Sequence, residues 1–329
     1  MIKLSRKKGK NNMGEIKRKP IILDGDPGHD DAIALLLAAS YKDELDIKAI
    51  TAVGGNTTLD KTSYNYLRIA TLFGLEDVPV GAGLKNPQII EYIKGAKFHG
   101  ESGLDGPELQ EPTIKLSDLS AVELMAKVIR ESDEKVTVVA TGPLSNVAGL
   151  LLAHPELKDK IECISIMGGG LEHGNFTAAA EYNIYVDPES AQIVFMSGVP
   201  IIMAGLDATE KAVIYPEEWR KVGELDSEVC KTFAGWCDFY FRHHDELGFD
   251  GAAMHDPCAV MVLVHPEIFT IKECYVEIDT QGEYTRGATV PDYFGLTGNK
   301  ANCKCLVGVD RDEFAKLLYE ACASFAKEA

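Results

Sequence analysis

The stretch IILDGDPGHDDA, residues 21–32, packs four aspartates around a Pro-Gly turn at the end of an apolar run. Ile21, Ile22 and Leu23 predict a short buried strand, and side chains at i and i+2 share a face, so Asp24 and Asp26 are expected to leave the sheet on one side. Pro27 and Gly28 turn the chain. The run AIALLLAA (32–39) is a strong helix former, which puts Asp30 and Asp31 in a first helical turn, where the macrodipole favours negative charge. Capping a helix uses one or perhaps two acids. Four crowded carboxylates cannot stay ionised together without a cation, and hard metal ions take oxygen ligands of this kind. The segment therefore reads as a strand–turn–helix junction, the place where open α/β sheets bind ligands.

The rest of the chain sets the frame for that junction. With 329 residues, 46% hydrophobic and 26% charged, the sequence is long enough for a large globular core. Its net charge of −18 argues against nucleic acid or an anionic membrane as a partner, since both repel it. Eight cysteines are scattered without a CxxC pair, and no signal-peptide pattern precedes them, which reads as reduced thiols in a cytoplasmic protein. Cys303 and Cys305 alternate and are expected to face one side of a strand. Residues 1–19, MIKLSRKKGKNNMGEIKRK, are basic and poor in apolar side chains and read as a disordered tail, with Met13 a possible start.

From residue 20 to 329 strand-like and helix-like patterns alternate. Strands are expected over 46–53, 78–83, 135–140, 161–167 and 199–205, and helices over 59–73, 117–131, 144–153 and 188–196. This rhythm predicts one α/β catalytic domain, 20–329: a mostly parallel, Rossmann-like central sheet with helices on both faces. After about 215 the pattern turns helical, then returns to strands over 270–278 and 303–309. Polar or glycine-rich clusters follow four of the strands: the aspartates, Gly54-Gly55-Asn56, TGPLSN (141–146) and MGGG (167–170). Four such clusters in register place a site along the carboxyl edge of the sheet.

Taken together, DGDPGHDDA, VGGNTTLDK, HGESGLDG, TGPLSN, MGGG, EYN followed by DPESA, and HDP at 255–257 closely resemble the nucleoside hydrolase family, calcium-dependent enzymes that cut the N-glycosidic bond of ribonucleosides. The likeness, of the inosine-uridine-preferring type, spans residues 24–256. It implies the fold of that family and a calcium ion held by Asp26, Asp31, the carbonyl of Thr141 and Asp256, with Asp26 also the general base toward a water. It further implies that Asp30, Asn56, Asn175, Glu181 and Asn183 meet the ribose hydroxyls, with Met167 beside them. Glu181 and Asn183 are expected on one side of an extended segment and Tyr182 on the other.

The leaving base is a poor anion unless it is protonated. His255, next to Asp256, matches the family histidine that assists its departure, and His99 is a second candidate near the base, in a glycine-rich loop that could close over substrate. His29 is expected to serve the turn. The helix-like run FAGWCDFYFRHH (233–244) offers either a base-stacking face or a buried amphipathic surface. Purine-specific relatives stack the base between paired tryptophans, and here the tryptophans are Trp219 and Trp236 alone. The substrate is thus expected to be a ribonucleoside, inosine/uridine or pyrimidine before purine, and the assembly a homodimer or homotetramer. Gly25, where Cys or Thr is common, and Ser145, where Thr is common, depart from the pattern. Competing readings are a magnesium phosphohydrolase using Asp24-x-Asp26 and a nucleoside-binding module without turnover.

Overall fold

The computed structural model describes residues 18–89, 91, 97–246 and 248–327. Most of the expected basic tail lies outside them. Lys19 does not belong to the tail: it opens strand β1 (Lys19–Gly25) and sends its ammonium to the carbonyl of Leu263 at 2.6 Å.

β1 occupies the middle of a nine-stranded sheet. It pairs in parallel with β2 (Leu45–Ala52) on one side and, on the other, with the fourth strand in sequence, β4 (Val136–Ala140). β3 (Val80–Ala82) extends the β2 side. β5 (Ile161–Met167) and β6 (Ile201–Ala204) extend the β4 side, also in parallel. From β3 the order runs 3-2-1-4-5-6, that of a Rossmann sheet. Beyond β6 lie β11 (Cys303–Val309), parallel to it, then the antiparallel β9 (Phe269–Ile278) and β10 (Thr289–Asp292). The sequence pattern anticipates β9 and β11 and misses β10, whose TVPD carries too little apolar periodicity to register. A separate two-stranded ladder joins β7 (Val213–Ile214) to β8 (Ala252–Ala253).

Alternation along the strands builds two cores, one on each face. Ile21, Leu23 and Val139 point to the face covered by α1 (His29–Ser40), α2 (Leu59–Leu72) and three late helices. Ile22, Val136, Val138 and Ala140 point to the face covered by α3 (Ala121–Glu131), α4 (Ser145–Ala153) and, after the short helix α5 (Tyr182–Val186), α6 (Pro188–Phe195). Cys303 and Cys305 both join this second core, as their spacing requires. α1 is buried from His29 to Ala38, so it needs no polar stripe, and each enclosed Leu or Ile contributes about 1.5–3 kcal/mol. α3 starts at Ala121, later than the pattern suggests, because Ser120 caps it and exchanges hydrogen bonds with Glu123.

The remaining helices are α7 (Leu206–Thr209), α8 (Pro216–Gly223), α9 (Glu228–Glu246), α10 (Pro257–Val264) and α11 (Arg311–Lys327). α9, α10 and α11 are the three late helices over that face, and α7 and α8 add Leu206, Ala208, Trp219 and Val222 to the same core. Connections leave β1 and β4 toward opposite sides of the sheet, so a crevice opens between their carboxyl ends.

Candidate active site

Asp26 sits in that crevice with its side chain wholly buried. Its Oδ2 accepts the backbone N–H of Asn56 at 2.6 Å, and the Asn56 amide donates to the Asp26 carbonyl at 3.2 Å. Its Oδ1 is buried with no hydrogen-bond partner among the described residues. Two glycines make the fit possible. A Cβ on Gly55 would lie 1.9 Å from Oδ2, and one on Gly142 2.5 Å from Oδ1.

The start of α1 holds the next two acids. Asp31 accepts the Gly28 N–H at 2.9 Å and the Thr141 hydroxyl at 2.7 Å. A Cβ on Gly25 would come within 2.5 Å of Tyr66 Oη, Thr141 Oγ1 and Asp31 Oδ1, so glycine at position 25 is what lets these three groups meet. Asp256 arrives from the opposite end of the chain, at the N-cap of α10 with Pro257 in the first turn. Carboxylate oxygens of Asp30, Asp31 and Asp256 lie within 4.8 Å of one another, all buried. Asp24 stands apart. Its Oδ1 accepts from Thr51 Oγ1 at 2.6 Å and Asn146 Nδ2 at 2.8 Å, tying β1 to β2 and α4, and it does not reach the cavity. The phosphohydrolase reading, which needs Asp24 and Asp26 in one site, loses its pair.

The electrostatic consequence is plain. Burial, then the charge of Asp31, pushes Asp30 up to about 7. Burial and the neighbouring carboxylates hold Asp26 and Asp256 well above the usual carboxylate range, and burial raises Asp31 against the bonds from Gly28 and Thr141. Such a nest at neutral pH must bind protons or a cation. Donors that are all oxygen, three of them converging, together with the unpartnered Oδ1 of Asp26, fit a hard divalent ion. The converging set contains Asp30 in addition to the expected Asp31 and Asp256, whereas Asp26 adjoins it and feels its charge.

Above the acids lies a cavity of about 330 Å³, within the range of small-molecule sites. Ten of the residues expected from sequence line it: Asp30, Asn56, His99, Thr141, Met167, Asn175, Glu181, Asn183, His255 and Asp256. Asp26 and Asp31 lie beneath its floor. The segment carrying Glu181 and Asn183 is not extended. Glu181 caps α5, accepting from Asn183 N at 2.8 Å, Ile184 N at 3.2 Å and Gly169 N at 2.9 Å. A capping acid satisfies the free amides of a helix start, and this outweighs the alternation that Glu181-Tyr182-Asn183 suggests. As a result Tyr182 lines the same cavity as its neighbours, with Oη on the Gly55 carbonyl at 2.8 Å. Burial pushes Glu181 up to about 7 despite its amide donors. Asn183 donates to the carbonyls of Thr141 (2.9 Å) and Met167 (3.2 Å), and Asn175 Oδ1 accepts from Tyr182 N at 3.0 Å.

One wall is aromatic. His99 stacks on Tyr240 at 5.4 Å between ring centroids, and His29 stacks on His99 at 5.2 Å and on Phe239 at 5.1 Å. The HGESGLDG loop is folded onto α1: Asp105 accepts from the amides of Glu101 and Ser102, and its carbonyl meets His29 Nε2 at 2.7 Å. Burial lowers His29 to about 4, so it is a neutral support for the loop. The two readings of the 233–244 run divide by residue. Phe233 and Trp236 are core, Tyr240 faces the cavity with its hydroxyl 3.5 Å from Asp30 Oδ2, and Trp219 is buried against Asp238. Neither tryptophan lines the cavity. Sequence reading missed Phe98, Phe176, Tyr182, Glu210 and Phe249 as lining residues. Phe98, Phe176 and Tyr182 adjoin residues it had chosen, which was the available signal.

At the remaining corner His255 Nδ1 meets Thr209 Oγ1 at 2.8 Å, and the His255 ring faces the cavity.

Comparison with known proteins agrees with this geometry. A sequence profile described as inosine-uridine preferring nucleoside hydrolase matches residues 21–316. A pyrimidine-specific ribonucleoside hydrolase, RihA, of Enterobacter sp. (strain 638) is 52% identical over 309 residues, which cover 93% of this chain and 98% of that protein. Among solved structures, a purine-preferring ribonucleoside hydrolase from Gardnerella vaginalis superposes with a TM-score of 0.89 at 32% identity, over 94% of this chain and all of that one. A plant nucleoside hydrolase, PpNRh1, gives 0.84 at 31% identity, over 93% of this chain and 99% of its own. The acid nest, the cavity above it and these likenesses together identify the chain as a member of the inosine-uridine preferring nucleoside hydrolase family, an N-ribosyl hydrolase.

Proposed function

We propose that the protein is a calcium-dependent ribonucleoside hydrolase that prefers pyrimidine nucleosides and releases free base and ribose by direct attack of water with inversion. The observation that carries the reading is the cavity floor, where the carboxylates of Asp30, Asp31 and Asp256 converge and the Oδ1 of Asp26 has no partner. Asp31, Asp256, Asp26 and the Thr141 carbonyl would hold the ion, with Asp30 beside them. Calcium bound there supplies positive charge that acidifies a water and anchors sugar hydroxyls.

The other steps belong to the chain's own groups. Asp26 accepts the proton of the attacking water at Oδ1, because Oδ2 is committed to Asn56 N. Asn56, Asn175, Glu181 and Asn183 orient the ribose, since amides and carboxylates match hydroxyls that both donate and accept. As the glycosidic bond breaks, positive charge grows on the sugar, and a floor of carboxylates stabilises it more than it stabilises the neutral substrate. Tyr240, His99 and Phe98 provide flat ring surface for the base, and His255 donates from its ring to the departing base and so makes it a competent leaving group.

Pyrimidine preference rests on the 52% likeness to a pyrimidine-specific enzyme and on a cavity without a tryptophan pair. Comparing kcat/KM for uridine, cytidine, inosine and adenosine tests it: the two pyrimidines are expected to lead by at least about tenfold, as a shape-selective pocket allows. Faster adenosine or inosine would reverse the assignment. His255→Ala is expected to lower kcat by roughly 10²-fold or more with inosine, the usual worth of a general acid, and little with a nitrophenyl riboside, whose leaving group needs no proton. Equal losses on both substrates would remove His255 from that role. Eight cysteines without a disulfide support a reducing, cytoplasmic setting, and association into a dimer or tetramer follows the resemblance.

A further inference from the structure

Thr209 is wholly buried at the end of α7, in a segment whose position is fixed from several directions. The helix is hung from the glycine loop after β5 by Leu206 N on the Gly169 carbonyl at 2.9 Å, and Thr209 N returns to the Gly205 carbonyl at 3.0 Å. Three residues on, Ala212 N bonds the Thr209 carbonyl and the Ala212 carbonyl accepts Met254 N, where the β7–β8 ladder begins. His255 is therefore placed opposite Thr209 by main-chain bonds. Its own carbonyl accepts Cys258 N in the first turn of α10.

The hydroxyl of Thr209 has one hydrogen-bond partner among the described residues, the Nδ1 of His255 at 2.8 Å. A helical threonine commonly returns its hydroxyl to the carbonyl four residues back; here it reaches the histidine instead. Two arrangements satisfy the distance. If Nδ1 carried the proton it would donate to Oγ1, and the hydroxyl proton of a fully buried side chain would be left without an acceptor, which costs the desolvation of that group. If Oγ1 donates to Nδ1, both groups are satisfied and the imidazole proton must sit on Nε2.

We infer that Thr209 is a positioning residue that holds His255 as the Nε2–H tautomer, so that the ring presents its N–H, and not a bare lone pair, to the departing nucleobase. This rests on the role assigned to His255 above and deepens it. The balance is simple: the electron pair of the broken C–N bond passes to the base nitrogen, the Nε2–H stabilises the charge growing on the base by donating a hydrogen bond, and the proton lost by the attacking water is the one the free base finally takes up. No imidazolate is formed, and the Thr209 hydroxyl keeps donating to Nδ1 throughout.

A long-range proton–nitrogen NMR spectrum of histidine-labelled protein, with His255 assigned by its loss in His255→Ala, tests the tautomer without any variant at position 209. An Nε2–H pattern is expected, and an Nδ1–H pattern overturns the inference. Kinetically, Thr209→Val keeps the shape and removes the donor. It is expected to lower kcat on uridine by roughly tenfold to a hundredfold, a fraction of a full general-acid effect, with KM and the nitrophenyl riboside rate within about threefold of wild type. Thr209→Ser, which keeps the hydroxyl, should recover most of the loss. Equal losses on both substrates, or no rescue by serine, overturn the inference by marking Thr209 as merely structural. The two levels separate cleanly. An unimpaired His255→Ala sinks the role of His255 itself, whereas an impaired His255→Ala beside a fully active Thr209→Val sinks the inference alone.

Discussion

Asp26→Asn is expected to lower kcat by about 10³-fold while KM changes by no more than a few-fold, because an amide keeps the size and the Asn56 contact but cannot take a proton from water. The prediction follows from the asymmetry of the side chain. One oxygen is held at 2.6 Å by a backbone amide, and the other, buried and without a partner, is the atom free to act. Gly55 and Gly142 leave space that the carboxyl fills and that an amide of the same size fills as well, so the substitution removes chemistry and not position. Steady-state kinetics on uridine, with circular dichroism to confirm folding, decide the matter. A kcat within tenfold of wild type would exclude Asp26 as the base.

Stripping divalent ions is expected to abolish turnover and to reverse the pH dependence of stability, with both restored by calcium. Asp24, Asp30 and Glu181 are pushed from near 4 up to about 7 by burial, and Asp26, Asp31 and Asp256 are raised as well. A group whose folded value is raised stabilises the fold fully below its unfolded value and loses that contribution as pH climbs through the folded one. Ion-free protein should therefore melt at a lower temperature at about pH 7.5, above the carboxylates' raised values, than at about pH 5.5, below them. Calcium, which would bind the ionised form of the nest, should raise Tm at both and much more at the higher pH, by an amount equivalent to about 4 kcal/mol at a thousandfold excess over Kd. Thermal melts of resin-treated protein measure this directly. Equal calcium shifts at the two pH values would show that the ion binds somewhere other than the acid nest.

The sheet could be read from sequence because its strands are apolar runs with polar punctuation. 161–167 and 303–309 match the strands seen residue for residue, and β1, β2 and β4 to within one or two. The acids could be read because four aspartates in eight residues have no structural explanation that uses them all. What escaped was set by tertiary contact. Whether Glu181 lies in a strand or caps a helix depends on Gly169 and on amides that it meets only after folding. Tyr240 and Trp236 stand on one helix with the same apolar character, and only the docking of α9 decides that the first faces the cavity and the second the core. Thr209 carries no motif at all. Its meaning comes from a ladder of two residues per strand, too short to leave a periodic trace.

That small ladder has a wider consequence. Val213–Ile214 and Ala252–Ala253 clamp the two ends of a helical excursion, α8 and α9, that carries Tyr240 and Phe249 to the cavity, and the second strand of the clamp leads directly into His255 and Asp256. With its ends stitched together, the excursion behaves like a cassette. A change inside it alters the surface that Tyr240 and Phe249 present to the base, and the stitch shields His255 and Asp256 from part of that disturbance.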